Sequence, residues 1–203
     1  MERQAQSPGL AVQDRLRAAV FLDRDGTINE QVGYIADFTH MKLLPRAAQA
    51  IARINELGYW CIVVTNQSAV ARGLATGEQV DRVNAQVALE VAREAGGRID
   101  GFYYCPHHPE EGDGPHTRDC DCRKPSPGMI LQAAREFGID IGSSWFVGDG
   151  LVDHQAAKAA DPRIRTILLP SSYHEGEGLA DFYESDLWLA VRRIEEEATA
   201  RFS

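Results

Sequence analysis

At 203 residues, 44% of them apolar and 25% charged, the chain suits one medium-sized domain able to bury a real core. Its formal charge of −9 argues against a general nucleic-acid binder, which carries a basic footprint. An anionic substrate would still need local cations, so basic residues placed near acidic ones carry information. Residues 1–17 are polar, and the apolar run at 18–22 is too short for a secretory core or a membrane span. The expectation is a flexible extension over 1–17, one domain over 18–203, a monomer, and a cytoplasmic protein with neither nucleic-acid nor membrane partners.

The first element is a buried strand through Val20, Phe21 and Leu22, which stops abruptly at Asp23 and Asp25, with Gly26 allowing a tight turn. Residues 30–44 are irregular and could reach over a site as a substrate loop. Pro45 suits the first turn of a helix carrying Ala47, Ala48, Ile51, Ile54 and Leu57 inward, with Gly58 as its stop. Residues 59–65 form a second buried strand, ending in the polar run Thr65, Asn66, Gln67, Ser68. After a loop with Arg72 and Gly73, Thr76 and Gln79 have capping-box spacing for a helix that ends at Gly96-Gly97. Residues 102–105 make a third strand and open into a long loop, 106–126, rich in Cys, His, Gly, Pro and acid. Pro127 starts a helix through Ile130, Leu131, Ala134 and Phe137, stopped by Gly138. A fourth strand, 144–149, again ends in a carboxylate, Asp149; a helix at 151–160 and a fifth strand at 164–169 follow. The tail carries an amphipathic helix with Leu187, Leu189, Ala190 and Ile194 inward. Alternation of strand and helix predicts a parallel sheet with helices on both faces.

Parallel strands deliver Asp23 and Asp25, Thr65 and Asn66, and Asp149 to one sheet edge, where open α/β sheets bind ligands. Carboxylates so close repel unless a cation offsets them, and Mg²⁺ prefers such hard oxygen ligands. Arg123 and Lys124, just before a helix, add fixed positive charge. Together these groups fit phosphoryl transfer. Asp153 reads equally as a support for the metal ligands or as an acid placed by the helix dipole.

The ordered motifs Phe21-Leu22-Asp23-Arg24-Asp25-Gly26-Thr27, Val64-Thr65-Asn66, Arg123-Lys124-Pro125 and Val147-Gly148-Asp149 resemble those of the haloacid-dehalogenase phosphatase superfamily. Cys105-Pro106-His107-His108-Pro109, Cys120-Asp121-Cys122 and Ala71-Arg72-Gly73 resemble its branch of histidinol phosphatases and heptose bisphosphatases. The resemblance implies a Rossmann-like α/β three-layer sandwich with a minimal cap and a zinc-stapled loop. It implies Asp23 as nucleophile and Asp25 as acid and base. Mg²⁺ would be held by the Asp23 and Asp149 carboxylates and the Asp25 backbone oxygen. Thr65, Arg123 and Lys124 would bind phosphoryl oxygens, and Gln31, Val32, Gly33, Tyr34, Asn66, Gln67 and Ser68 the substrate. Gly150 follows Asp149 where related enzymes often carry a polar or basic residue.

Cys105 with His107, and Cys120 with Cys122, form two pairs spaced by two residues, so that each pair can grip one ion from extended backbone. Four such ligands suit a closed structural Zn²⁺ site, with His108 and His116 as rivals to His107. Clustered cysteines in a reducing compartment favour metal over disulfides, and Cys61 within an apolar strand reads as core. The separation of His107 from Cys120 resembles the heptose-bisphosphatase form, which implies the 7-phosphate of D-glycero-D-manno-heptose 1,7-bisphosphate as substrate. Histidinol phosphate or another small phosphomonoester is the alternative within the class. A phosphoacceptor receiver-like domain and a non-catalytic Zn²⁺-binding module are alternatives outside it.

Overall fold

The computed structural model describes residues 16–31, 33, 41–171 and 179–200. Six parallel strands form one sheet in the order β3-β2-β1-β4-β5-β6. They are β1 (Ala19–Leu22), β2 (Trp60–Asn66), β3 (Gly101–Cys105), β4 (Trp145–Gly148), β5 (Arg165–Leu168) and β6 (Phe182–Tyr183). The helices are α1 (Ala47–Glu56), α2 (Gly77–Ala95), α3 (Gly128–Phe137), α4 (Leu151–Ala160) and α5 (Leu187–Ala200). From β1 the chain winds outward to β3, then returns to the other side of β1 with β4. The strand order therefore reverses between β1 and β4, where doubly wound sheets open a ligand crevice.

Strand alternation sorts the core into two layers. Val20 and Leu22 face the layer under α1, α2 and α5, with Ile51, Val87 and Ile194. Ala19 and Phe21 face the layer under α3 and α4, with Ile130, Phe146 and Ala157. Both faces of β1 are therefore covered, and all four of its residues are buried.

The expected helix boundaries at Thr76, Gly96 and Gly138 hold. Thr76 and Gln79 exchange the two capping-box hydrogen bonds, and Gly96 and Gly138 end their helices at left-handed φ values of 67° and 64°. Three details differ from expectation. Pro45 lies in a turn ahead of α1, with Arg46 as its left-handed N-cap, because Leu44 is pinned to the Ile28 carbonyl and the Ala47 N–H closes a turn back onto Leu44. Leu189 is 41% exposed, while Val191 takes the inward position on α5. The two-residue strand β6 carries too short a pattern to be read from sequence. Of the expected extension, residues 1–15 lie outside the described residues. Arg17 is already fixed: its N–H donates to the Gly138 carbonyl at 3.1 Å, and its guanidinium donates to the Gly58 and Tyr59 carbonyls and covers the Trp60 ring.

Between β1 and α1 the described residues form only isolated bridges, Asp25 with Asn29 and Asn29 with Leu43. The long segment after β3 folds back on itself through His108 and Thr117, and Arg118 donates to the His108 carbonyl. Its tip packs on the loop after β2: Arg72 pairs with Glu111 at 3.0 Å, and Gly112 sits so close that a Cβ would lie 1.9 Å from the Ala71 carbonyl oxygen.

Candidate active site

The register of the central strands sets the site. Leu22 pairs with Val147 of β4, and the Asp23 N–H donates to the Val147 carbonyl at 3.0 Å, so the chain beyond β1 emerges beside the chain beyond β4. Carboxylate oxygens of Asp23, Asp149 and Asp153 all lie within 4.8 Å of one another. Lys124 reaches this cluster from the segment after β3. Its Nζ lies 2.8 Å from Asp23 Oδ1 and 2.6 Å from Asp153 Oδ1, and it donates to the Val64 carbonyl at 2.9 Å. Asn66 fixes the Lys124 backbone, accepting from its N–H at 3.0 Å and donating to its carbonyl at 3.1 Å. Asp153 also accepts from the Gly150 N–H at 2.9 Å, so the one residue both caps α4 and pairs with Lys124.

Three carboxylates face one ammonium. Burial pushes the Asp23 carboxyl up to about 6 against the pull of Lys124, with Asp153 adding to the rise. Burial, and then the Asp23 charge, push Asp149 up to about 7. Burial draws the Lys124 ammonium down, but Asp153 and Asp23 outweigh it and hold the group above the usual lysine range. Such a cluster stores unfavourable charge that a divalent cation relieves, and its all-oxygen donor set suits a hard ion.

Between the ordinary carboxylate range near 4 and these raised values, the metal-free fold holds protons that the unfolded chain does not, so the stability these two groups contribute is lost as pH rises through about 6 to 7. A cation displaces the same protons. Calorimetry of Mg²⁺ binding near pH 6, in buffers of different ionisation enthalpy, is expected to show proton release that vanishes above about pH 8. Binding without proton release would contradict these environments.

Gly26 is required by space as well as by conformation. Its φ is 82°, and a Cβ there would lie 2.3 Å from Asp149 Oδ2. Gly26→Ala is expected to cost about 1–3 kcal/mol of stability and to weaken Mg²⁺-dependent turnover through displacement of Asp149. Urea unfolding together with a Mg²⁺ titration of activity checks both effects.

Asp25 points into a separate network. Arg24, 1% exposed, forks onto its carboxylate, with Nη2 at 2.8 Å from Oδ2 and Nε at 3.1 Å from Oδ1. The Asn29 and Gln67 side-chain amides each donate to the same carboxylate at 2.8 Å. Arg24 Nη1 donates to Asn84 Oδ1 on α2 at 2.9 Å. Gln67 also donates to Thr65 Oγ1, which is buried at the end of β2. Sequence reasoning missed Arg24, Asn29 and Asn84. For Asn84 a signal existed: it is a polar residue within the inward stripe Val80, Val83, Val87, Val91.

Of the other expected substrate residues, Gln31 and Gly33 are exposed, Ser68 is half-buried, and Val32 and Tyr34 lie outside the described residues. Arg123 Nη1 donates to the His107 carbonyl at 3.1 Å, which ties the guanidinium to the cysteine-rich loop.

Cys105, His107, Cys120 and Cys122 converge at the root of that loop. Their sulfurs lie 3.1 to 3.5 Å apart, and His107 Nδ1 faces them at 3.7 Å from Cys105 and 3.3 Å from Cys122. These spacings are slightly tighter than the edges of about 3.8 Å around a tetrahedral ion with metal–sulfur bonds near 2.3 Å. All four cysteines are free, and burial lowers the His107 pKa, which favours the neutral, ligating ring. The three thiols and the imidazole could together hold one metal ion, and the two halves of the cluster join β3 to the residues immediately before Arg123 and Lys124.

A family model described as haloacid dehalogenase-like hydrolase matches residues 6–161. The chain belongs to this hydrolase family. A D-glycero-beta-D-manno-heptose-1,7-bisphosphate 7-phosphatase of Photorhabdus laumondii is 43% identical to this hydrolase over 142 residues, 70% of this chain and 75% of that protein. A protein of the same name from Yersinia pestis is 38% identical over 171 residues, 83% of this chain and 90% of that one. Among solved structures, D,D-heptose 1,7-bisphosphate phosphatase from B. bronchiseptica, complexed with magnesium and phosphate, is 30% identical with a TM-score of 0.76, covering 89% of this chain and 99% of that chain. The hydrolase is a phosphoric monoester hydrolase with the Rossmann-like fold of its superfamily, in the branch its motifs resemble. This sets aside the receiver-like and non-catalytic alternatives.

Proposed function

We propose that the hydrolase removes the 7-phosphate of D-glycero-D-manno-heptose 1,7-bisphosphate, a step towards activated heptose. The observation that carries the chemistry is the meeting of Asp23, Asp149, Asp153 and Lys124 where the strand order reverses. The substrate class is supported by the relatives that share most of this chain.

Asp23 attacks phosphorus in line; the phosphorus–oxygen bond to the sugar breaks, and Asp25 gives its proton to the departing oxygen. Water then attacks the aspartyl phosphate and yields its proton to Asp25, the bond from phosphorus to Asp23 breaks, and phosphate leaves. Asp23, Asp149 and the Asp25 backbone oxygen would hold Mg²⁺, which supplies positive charge that lets an anionic nucleophile approach an anionic phosphate. Lys124, Arg123 and Thr65 bind the phosphoryl oxygens, and Asn66 acts through the Lys124 backbone. Gln31, Val32, Gly33, Tyr34, Gln67 and Ser68 provide the sugar side of the site. The described helices include none long and apolar enough to cross a membrane. A small sugar phosphate as substrate fits a cytoplasmic monomer folded as one domain over 18–203.

In this reading the ion in the thiol cluster is Zn²⁺, held by Cys105, His107, Cys120 and Cys122, and its work is to fix Arg123 and Lys124. Stripping it with a chelator, with Mg²⁺ then restored, is expected to lower kcat/KM at least about tenfold and to lower Tm. Metal analysis showing one Zn²⁺ lost per chain would accompany the change, and full activity without Zn²⁺ would contradict the role.

Phosphate release from the heptose bisphosphate, hexose bisphosphates and histidinol phosphate, each with Mg²⁺, tests the substrate. The highest kcat/KM is expected on the heptose bisphosphate. Equal or faster turnover of histidinol phosphate would overturn the assignment.

A further inference from the structure

Arg24 is a buried cation that the phosphoryl chemistry does not use. We infer that Asn84 and Arg24 form a relay from α2 that sets the position of the Asp25 carboxylate for proton transfer. The inference rests on the reading of Asp25 as the proton donor.

The relay is fixed at both ends. The Arg24 backbone carbonyl accepts from the N–H groups of Ile28 at 2.8 Å, Asn29 at 3.2 Å and Thr27 at 3.3 Å, so the root of its side chain sits inside the turn that follows β1. Its far end is divided between two partners. One edge of the guanidinium forks onto Asp25, while Nη1 donates to Asn84. A planar fork bonded on two sides cannot rotate towards one partner without losing the other. Asn84 is 5% exposed and stands on a helix otherwise held by valines, so it is as fixed as α2 itself. Asn29, bonded to both Asp25 and the Glu30 carbonyl, closes the other side of the carboxylate. Proton transfer is sensitive to sub-ångström placement, and here the placement is set by a residue sixty positions along the chain. Arg24 and Asn84 are therefore positioning residues, acting through Asp25 and not on the substrate.

A role in proton donation differs from general support of the fold in how it depends on the leaving group. A phenolate with a conjugate acid near pKa 7 departs without help, whereas an alkoxide near pKa 15 needs the proton. The test is kcat/KM, which reports the first, phosphorus–oxygen cleaving step, across aryl and alkyl phosphates with Mg²⁺ present. Four variants join the wild type: Asn84→Ser, Asn84→Asp, Arg24→Lys and Asp25→Asn. Asn84→Ser is too short to reach Arg24, and Arg24→Lys keeps the buried charge but loses the fork. Both are expected to lose about 100-fold on alkyl phosphates and less than about threefold on p-nitrophenyl phosphate, which steepens the dependence on leaving-group pKa. Asn84→Asp keeps an acceptor for Nη1 and is expected to retain the wild-type slope. Should Asn84→Ser fail to fold, Arg24→Lys against Asn84→Asp carries the same comparison. Equal losses on every substrate, with the slope unchanged, would overturn the relay and leave a structural role. A shallow slope in Asp25→Asn would instead overturn the assignment of Asp25 as proton donor, whatever the relay variants do.

Discussion

Asp23→Asn is expected to lower kcat by about 10⁴-fold or more while leaving the fold intact. The amide keeps the shape of the side chain but neither attacks phosphorus nor carries charge to a cation. Burial already holds the Asp23 carboxyl at about 6, so the native fold tolerates it uncharged more readily than an exposed site would. The metal-free variant should therefore unfold at the same urea concentration as wild type or a higher one near pH 8, where the wild-type carboxylate is ionised without Mg²⁺. With Asp23 in its proposed role as a Mg²⁺ ligand, the stabilisation of the wild type by Mg²⁺ should shrink in the variant. Steady-state phosphate release and paired urea titrations, with and without Mg²⁺, read these effects. Substantial residual turnover in a homogeneous preparation would place the nucleophile elsewhere.

Lys124→Met is expected to be the most damaging single change to stability at the site, about 3–5 kcal/mol. Methionine replaces much of the buried stem but not the charge. The ammonium lies between Asp23 and Asp153, 4% exposed, and removing it leaves buried carboxylates facing one another. Against a total stability of about 5–15 kcal/mol, that is a large share. Lys124→Arg should not restore activity, because a guanidinium fork does not occupy the point between two carboxylates and the Val64 carbonyl that Nζ fills. Urea unfolding in the absence of Mg²⁺ measures the loss. A cost below about 1 kcal/mol would mean that the pair contributes little beyond its own desolvation.

Both effects arise from residues the sequence brought forward. Asp23, Asp149 and Lys124 stand at abrupt changes from apolar or turn-forming sequence to charge, and parallel strands leave few places for such ends to go. The thiol cluster was legible for a similar reason, since paired soft ligands have few other uses in a reducing compartment. The Arg24–Asn84 contact was not. Its members are sixty positions apart, and a single polar residue in an apolar stripe does not announce its partner. The same limit applies to Asp153, which reads from sequence as a support for the metal ligands or as an acid placed by the helix dipole; the fold shows it accepting from the Gly150 N–H and pairing with Lys124. Asn66 holds a contact that a polar strand end does not announce. Both ends of its amide are engaged by the Lys124 backbone, an arrangement that only the fold of the distant cysteine-rich loop creates. At the edge of the sheet, β6 is two residues long and carries too little pattern to be read, and on α5 Leu189 turns outward while Val191 takes the inward position.

The most direct measurement is acid quenching during the first turnover with substrate labelled on the transferred phosphoryl group. Label should appear on the peptide carrying Asp23, approach one equivalent if phosphoenzyme breakdown is slow, and discharge as phosphate forms. Asp23→Asn should carry none. Turnover that proceeds with no label on that peptide at any time, and continues in Asp23→Asn, would contradict attack by Asp23 on phosphorus.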